Sequence, residues 1–187
     1  MVPRALPRGK VLAAHGAAPY FTGLEGSLRV AFLIRWPGKV PAGAESNEIV
    51  HSVDLYATLA KIAGGKVPDD RVMDSIEMAD FFLGNSDKSG RESVVIYNGN
   101  EIYGVKWRNW KMMIKEIDGM FGLNAPLALP YFYNLIQDPK EERPLRLAPD
   151  NLWVRYPASQ VLIDHAMSLQ KEPPIKEGTP DPYEPGD

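Results

Sequence analysis

The chain contains no cysteine among its 187 residues. That absence removes disulfide frameworks, thiolate zinc sites and cysteine nucleophiles, and it fits either side of a membrane. Long apolar runs are missing too: none approaches the ~18 residues that a membrane span requires. The first ten residues carry Arg4, Arg8 and Lys10 and are broken by Pro3 and Pro7. They therefore lack the apolar core of a signal peptide. A basic excess is lacking as well. The 21 basic and 24 acidic residues leave a net charge of −3, which argues against a phosphate-backbone binder and so against nucleic acid as a partner. Histidine is scarce: His15, His51 and His165 stand far apart in the chain. No HExxH, CxxC, DxDxDG, GxSxG or GxxxxGK[ST] spacing occurs, so no local metal, nucleophile or phosphate motif exists. His51 and His165 read as structural side chains, and His15 lies in a Gly/Ala stretch with no assigned role.

Hydrophobic residues make up 44% of the chain, enough for a packed core. Residues 1–20 are weakly patterned and read as a loop or loosely ordered terminus. Residues 28–36 predict a strand with two apolar faces: Val30, Phe32 and Ile34 alternate with Ala31 and Leu33, and Pro37 ends it. Residues 52–63 predict a helix, with Ser52 as N-cap and Asp54 near the positive end of the dipole. Val53, Tyr56, Leu59, Ile62 and Ala63 form its inward stripe, and Gly64-Gly65 stop it. A doubly apolar strand followed by a covering helix is the grammar of an α/β sheet.

A short helix is expected over 75–83, and 85–92 reads as a surface loop. The pattern then changes to strands at 93–97, 101–107, 110–115 and from Tyr131, with Asn98-Gly99 a strong hairpin turn and Arg108-Asn109 a weaker one. Consecutive strands on short turns build an antiparallel sheet. Trp107 and Trp110 suit either a stacking platform for a base or sugar, or cross-strand packing in a hairpin, and the second reading is preferred. A last helix is expected over 157–169, with Val161, Leu162, His165 or Ala166, and Leu169 inward. The tail has five prolines in seventeen residues and reads as extended.

Four of these stretches, taken in order, resemble the sulfatase family. The segment "LEGSLRVAFLIRWPGKVPAG" is similar to the motif in which E-G-G-x-R leads into a strand and W-P-G-x-[VI]-x-x-G. "SVDLYATLAKIAG" is similar to the helix that follows it there. "YGVKWRNWKMMI" looks like the family's V-R-x-x-x-[WY]-K hairpin, and "YNLIQDPKE" like its Y-[DN]-L-x-x-D-P-x-E strand. The match covers about residues 20–142. It implies the C-terminal part of an alkaline-phosphatase-like α/β sulfatase fold, with a small antiparallel four-stranded sheet and a C-terminal helix. The expected division is a weakly patterned segment 1–20, the end of the large domain over 21–90, a small subdomain over 91–172 and a Pro-rich tail over 173–187.

The resemblance also implies an activity: hydrolysis of sulfate esters by a formylglycine and a divalent cation, usually calcium, acting on a sulfated small molecule or glycan. Members are often periplasmic or secreted. This chain departs from that pattern. It has no C/S-x-P-x-R and no paired Asp ligands, and Ser27 replaces the second Gly of E-G-G. The family lysine would fall at Tyr20, Ala31 stands for the Pro that often follows the strand's first Val, and Ala57 stands for the helix Pro. No catalytic, cofactor-binding or metal residue is therefore assigned, and no cofactor is expected on this chain. Glu25, Gly26, Arg29, Trp36, Pro37, Gly38 and Asp54 are the motif residues, read as structural, with a Glu25–Arg29 ion pair expected to fix the loop. The expected function is that of an arylsulfatase C-terminal portion, inactive alone because its N-terminal catalytic portion is missing. A non-catalytic binding module using the Trp107/Trp110 face, or a subunit completing a partner, is the alternative. A chain with an unpaired strand at 30–34 is expected to be marginally stable or to aggregate there.

Overall fold

The computed structural model describes residues 22–69, 72–117, 124–145, 149–176 and 178–180. His15 and the N-terminal segment 1–20 lie outside the described residues. Among the described residues three helices come first: α1 (Glu25–Leu28), α2 (Asp54–Ile62) and α3 (Ala79–Phe82). Four strands follow: β1 (Ser93–Asn98), β2 (Glu101–Trp107), β3 (Trp110–Ile117) and β4 (Asn124–Asn134). A long helix, α4 (Leu152–Lys171), comes last. The strands form one antiparallel sheet in the order β1-β2-β3-β4.

Local chemistry explains the sheet. The β1–β2 register pairs Asn98 with Glu101, leaving Gly99-Asn100 as a two-residue loop. The β2–β3 register pairs Trp107 with Trp110 across Arg108-Asn109. Alternation then sends Val105, Met112 and Phe132 to one face, where Val154 and Ala158 of α4 complete a core. Ile96, Tyr103, Met113 and Tyr133 make the opposite core, with Leu24 packed against it. Tyr103 and Val105 are two apart, so simple alternation would place them on one face. Ile96 pairs with Gly104 but Tyr97 pairs with Ile102, so Tyr103 is the extra residue of a bulge and turns to the other side. Its hydroxyl is fully buried without a hydrogen-bond partner among the described residues. Gly104, next to it, sits so close to β3 that a Cβ there would lie 2.2 Å from the Met112 carbonyl oxygen.

Several elements differ from the sequence expectation. No strand forms over 28–36. Glu25–Leu28 is a helical turn, and the residues after it run extended without a ladder. Val30 is 81% exposed and Leu33 93%. A strand exists only through its neighbours, and none among the described residues supplies the bonds. Helix α2 begins at Asp54 rather than Ser52, and its flanking residue Val53 makes no side-chain cap. The Asp54 carboxylate caps instead, accepting from the His51 N–H at 2.9 Å. Its end is as expected: Gly64 adopts φ 76° and the Gly65 N–H donates to the Ala60 carbonyl at 2.8 Å.

The inward face of α2 is also the other one. Asp54, Ala57 and Thr58 are buried, while Val53, Tyr56 and Leu59 are exposed. The helix expected over 75–83 shortens to Ala79–Phe82. Strand β4 starts seven residues before Tyr131, at Asn124, and ends at Asn134. Helix α4 starts at Leu152, so Pro157 lies inside it. Its missing N–H costs one bond near the helix start, and burial of Val154 and Ala158 outweighs that loss.

Candidate functional site

Three of the motif stretches, those of Glu25, Lys111 and Glu141, meet at one place on the Ile96/Met113 face of the sheet. Alternation puts Lys111 on that face of β3, and its side chain is fully buried. The ammonium donates to the Gly23 carbonyl at 3.0 Å and pairs electrostatically with a Glu25 oxygen at 3.0 Å and a Glu141 oxygen at 2.6 Å. Lys106 of β2 closes on the other Glu25 oxygen at 2.8 Å. Glu141 in turn accepts from the Glu25 backbone N–H, and it holds a positive φ of 56°. Two cations and two carboxylates therefore join segment 22–28, two strands and the turn after β4.

Burial pushes the Glu25 carboxyl upward, but Lys111 and Lys106 outweigh it and hold it below its ordinary value. Burial wins at Glu141, which is raised despite Lys111. The expected Glu25–Arg29 pair does not form. Glu25 turns to the lysines, and Arg29 donates to the Asn47 side chain at 2.9 Å. Gly26 and Ser27 are half-buried in α1. Trp36 is exposed, and its carbonyl accepts from the Lys39 and Val40 N–H groups across the Pro37-Gly38 turn.

A second buried charge organises residues 51–91. The Asp54 side chain is fully buried and accepts four hydrogen bonds: from His51 N at 2.9 Å, Ile76 N at 2.9 Å, Arg91 Nε at 2.7 Å and Arg91 Nη2. Thr58 donates to the Asp54 carbonyl at 2.6 Å and accepts from the Met78 N–H at 3.0 Å. The inner face of α2 is thus polar and saturated, which is why its apolar stripe faces outward. Burial raises the Asp54 carboxyl, but the Arg91 and backbone bonds prevail and lower it below its ordinary 3.8. A carboxyl lowered in the fold adds stability that is complete above the unfolded value and lost as pH falls through the folded one. Asp54→Asn is accordingly expected to lose about 2–3 kcal/mol at neutral pH and to show a flatter stability profile below 3.8. Urea titration across that range measures both.

The remaining candidates are dispersed. The His51 ring accepts from the Val53 N–H at 3.3 Å. His165 of α4 is half-buried and shares a 2.5 Å hydrogen bond with the Tyr97 hydroxyl. Among the described residues no group of three or more His, Cys, Asp or Glu side chains can hold a metal ion, so the family's cation has no fitting donor set there. No described helix is long and apolar enough to cross a membrane. The Lys111 cluster escaped the sequence reading because its members come from three separate stretches. The signal was a lysine at an inward position of a strand, between Trp110 and Met112.

Comparison with known proteins places the arrangement. The profile of the N-sulphoglucosamine sulphohydrolase C-terminal family matches residues 21–155. Steryl-sulfatase of Rattus norvegicus is 28% identical over 143 residues, covering 65% of this chain and 25% of the relative. Arylsulfatase D of Homo sapiens is 28% identical over 151 residues, covering 69% and 25%. The ulvan-active sulfatase of Formosa agariphila is 41% identical over 58 residues, 31% of this chain and 12% of its own. Among solved structures, the PsFucS1 sulfatase from Pseudoalteromonas sp. superposes with a TM-score of 0.67 at 21% identity, over 75% of this chain and 30% of that one. The chain therefore spans about a quarter of the length of the curated relatives it matches. With its antiparallel sheet, C-terminal helix and matched motifs, the chain belongs to the sulfatase family, to whose C-terminal portion it corresponds.

Proposed function

We propose that this chain acts as the C-terminal scaffold of a sulfuric ester hydrolase, completing a fold whose nucleophile and cation site are carried by an N-terminal portion. On this reading residues 21–90 are the end of the large domain and 91–172 are the small subdomain. The completed enzyme hydrolyses a sulfate ester of a small molecule or a glycan. Glu25, Lys111 and Glu141 join the two parts and take no part in chemistry.

One observation carries the proposal. The residues that read as a doubly buried strand, Val30, Phe32, Leu33 and Ile34, are exposed, as are Tyr56 and Leu59 of α2. Apolar surface of this extent with an unpaired backbone needs a cover, and relatives four times as long have the chain to provide it. The isolated chain is expected to bind a hydrophobic dye and to self-associate. Leu33→Lys is expected to suppress both without lowering the melting temperature. No turnover of 4-nitrophenyl sulfate is expected from the chain alone. Turnover is expected once the matched part of this chain replaces the corresponding segment of arylsulfatase D, which it matches over 151 residues. A dye-silent monomer, or a chimera that folds and is inactive, would refute the proposal.

A further inference from the structure

We propose that Asn98 is a site of spontaneous covalent modification, where the folded chain converts Asn98-Gly99 to isoaspartate or aspartate and so loosens the β1–β2 turn. The chemistry needs only these two residues and water. The Gly99 nitrogen gives its proton to solvent and attacks the Asn98 carboxamide carbon. A new C–N bond closes a five-membered imide, the bond to the amide nitrogen breaks, and ammonia leaves. Water then adds at one of the two imide carbonyls and cleaves its C–N bond. Cleavage on the side-chain side gives aspartate. Cleavage on the main-chain side gives isoaspartate, in which the backbone runs through the former side chain.

The fold singles out this position. Beyond the irregularity after Ile96, only the pairs Tyr97–Ile102 and Asn98–Glu101 hold the tip of the hairpin. Ends of this kind open at little cost. Gly99 is exposed at φ 58°, and a Cβ there would meet nothing within 4 Å. It has neither a side chain nor a neighbour to resist the rotation that brings its nitrogen to the carboxamide. Its N–H has no hydrogen-bond partner among the described residues. Asn85-Ser86, a second asparagine before a small residue, is the contrast. The Ser86 N–H donates to the Asp80 carbonyl at 3.2 Å and the Asn85 N–H donates to it at 2.8 Å. The Asn85 carboxamide donates to the Asp80 carboxylate at 3.2 Å. Nucleophile and leaving group are both held there.

Either product puts a carboxylate opposite Glu101, and like charges directly across a ladder destabilise it. Lys115, 3.2 Å from Glu101, offsets part of that repulsion. Isoaspartate also adds a backbone carbon next to Tyr97, whose hydroxyl shares the 2.5 Å hydrogen bond with His165. The change at the hairpin tip is thereby passed to α4.

The test incubates the whole chain at mildly alkaline pH, once folded and once in urea, and follows residues 85 and 98 by peptide mass spectrometry with isoaspartyl methyltransferase labelling. In the folded chain, isoaspartate is expected at 98 within about tenfold of its rate in urea, and at 85 far more slowly than in urea. Asn98→Gln, whose longer side chain would have to close a six-membered ring, is expected to abolish the label at 98. The aged form, resolved by charge, is expected to melt below the fresh one. Asn98→Asp is expected to melt between them, since it carries the charge without the added carbon. No isoaspartate at 98 in the folded chain, equal slowing at 98 and 85, or a label that survives Asn98→Gln would overturn the site. An aged form that melts with the fresh one would overturn the loosening.

Discussion

Lys111→Met is expected to lower the unfolding free energy by about 3–5 kcal/mol, the usual penalty for breaking a buried ion pair from one side. For a chain whose total stability is of the order of 5–15 kcal/mol, that threatens solubility as well as the melting point. Methionine fills much the same space as lysine, so packing is not what is lost. What is lost is the cation that faces Glu25 at 3.0 Å and Glu141 at 2.6 Å. The two carboxylates would then face each other with Lys106 alone on Glu25. The Gly23 carbonyl would lose its donor as well. The control is the triple variant Lys111→Met, Glu25→Gln, Glu141→Gln, which removes the buried charges together and should recover a large part of the loss. Urea midpoints at neutral pH decide it, and a single variant within about 1 kcal/mol of the parent would mean the cluster is not a joint.

The pH response of this cluster has two signs. Glu25 is lowered in the fold, so its contribution is complete above its unfolded value of 4.5 and disappears as pH falls through the folded value. Glu141 is raised, so its contribution runs the other way: stability falls as pH climbs from 4.5 through the raised folded value. Acidification from neutrality should therefore first relieve Glu141 and only then, with Asp54, undo Glu25.

Gly104→Ala is expected to cost about 3 kcal/mol or more, at the upper end of overpacking penalties. The added Cβ would lie 2.2 Å from the Met112 carbonyl oxygen and 2.9 Å from the Met113 Cα. Both are backbone atoms of the neighbouring strand, so no rotamer change relieves the contact. The two strands would have to part at the bulge that also turns Tyr103 inward. Gly99→Ala is the comparison. Gly99 has φ 58° and open space around it, so its loss is conformational alone, roughly 1–2 kcal/mol. Thermal melts of the two variants separate crowding from conformation. A Gly104 variant no less stable than the Gly99 one would contradict the close approach.

The parts of this fold that the sequence makes legible are those decided by neighbours in the chain. The β1–β2 and β2–β3 hairpins are set by two-residue turns and by alternation over a few residues; the second falls where the pattern places it, and the first turns one residue later than Asn98-Gly99, on Gly99-Asn100. The Schellman end of α2 is equally local. Segment 28–36 fails for the opposite reason: a strand needs a partner outside its own stretch, and no described residue pairs with this one. The inward face of α2 was misjudged because apolar spacing marks what a helix can bury, whereas Asp54 and Thr58 bury themselves by hydrogen bonds to the loop before α3. Helix α4 begins early because burial of Val154 and Ala158 outweighs the breaker at Pro157. The ion cluster was visible only in pieces, as Glu25, Lys111 and Glu141 belong to different stretches and meet through the sheet.

The joint between Glu25 and Glu141 spans 116 positions of sequence. During synthesis the ribosome must add all of them before Glu25 meets its last partner. The sheet hairpins can close as they emerge, since their contacts are short-range, yet α1 is held only by Lys106 and Lys111 until the turn beyond β4 has left the exit tunnel. A nascent chain stalled between β3 and that turn would hold Lys111 half-neutralised and residues 30–36 bare, which is the state most exposed to misassembly and capture by chaperones.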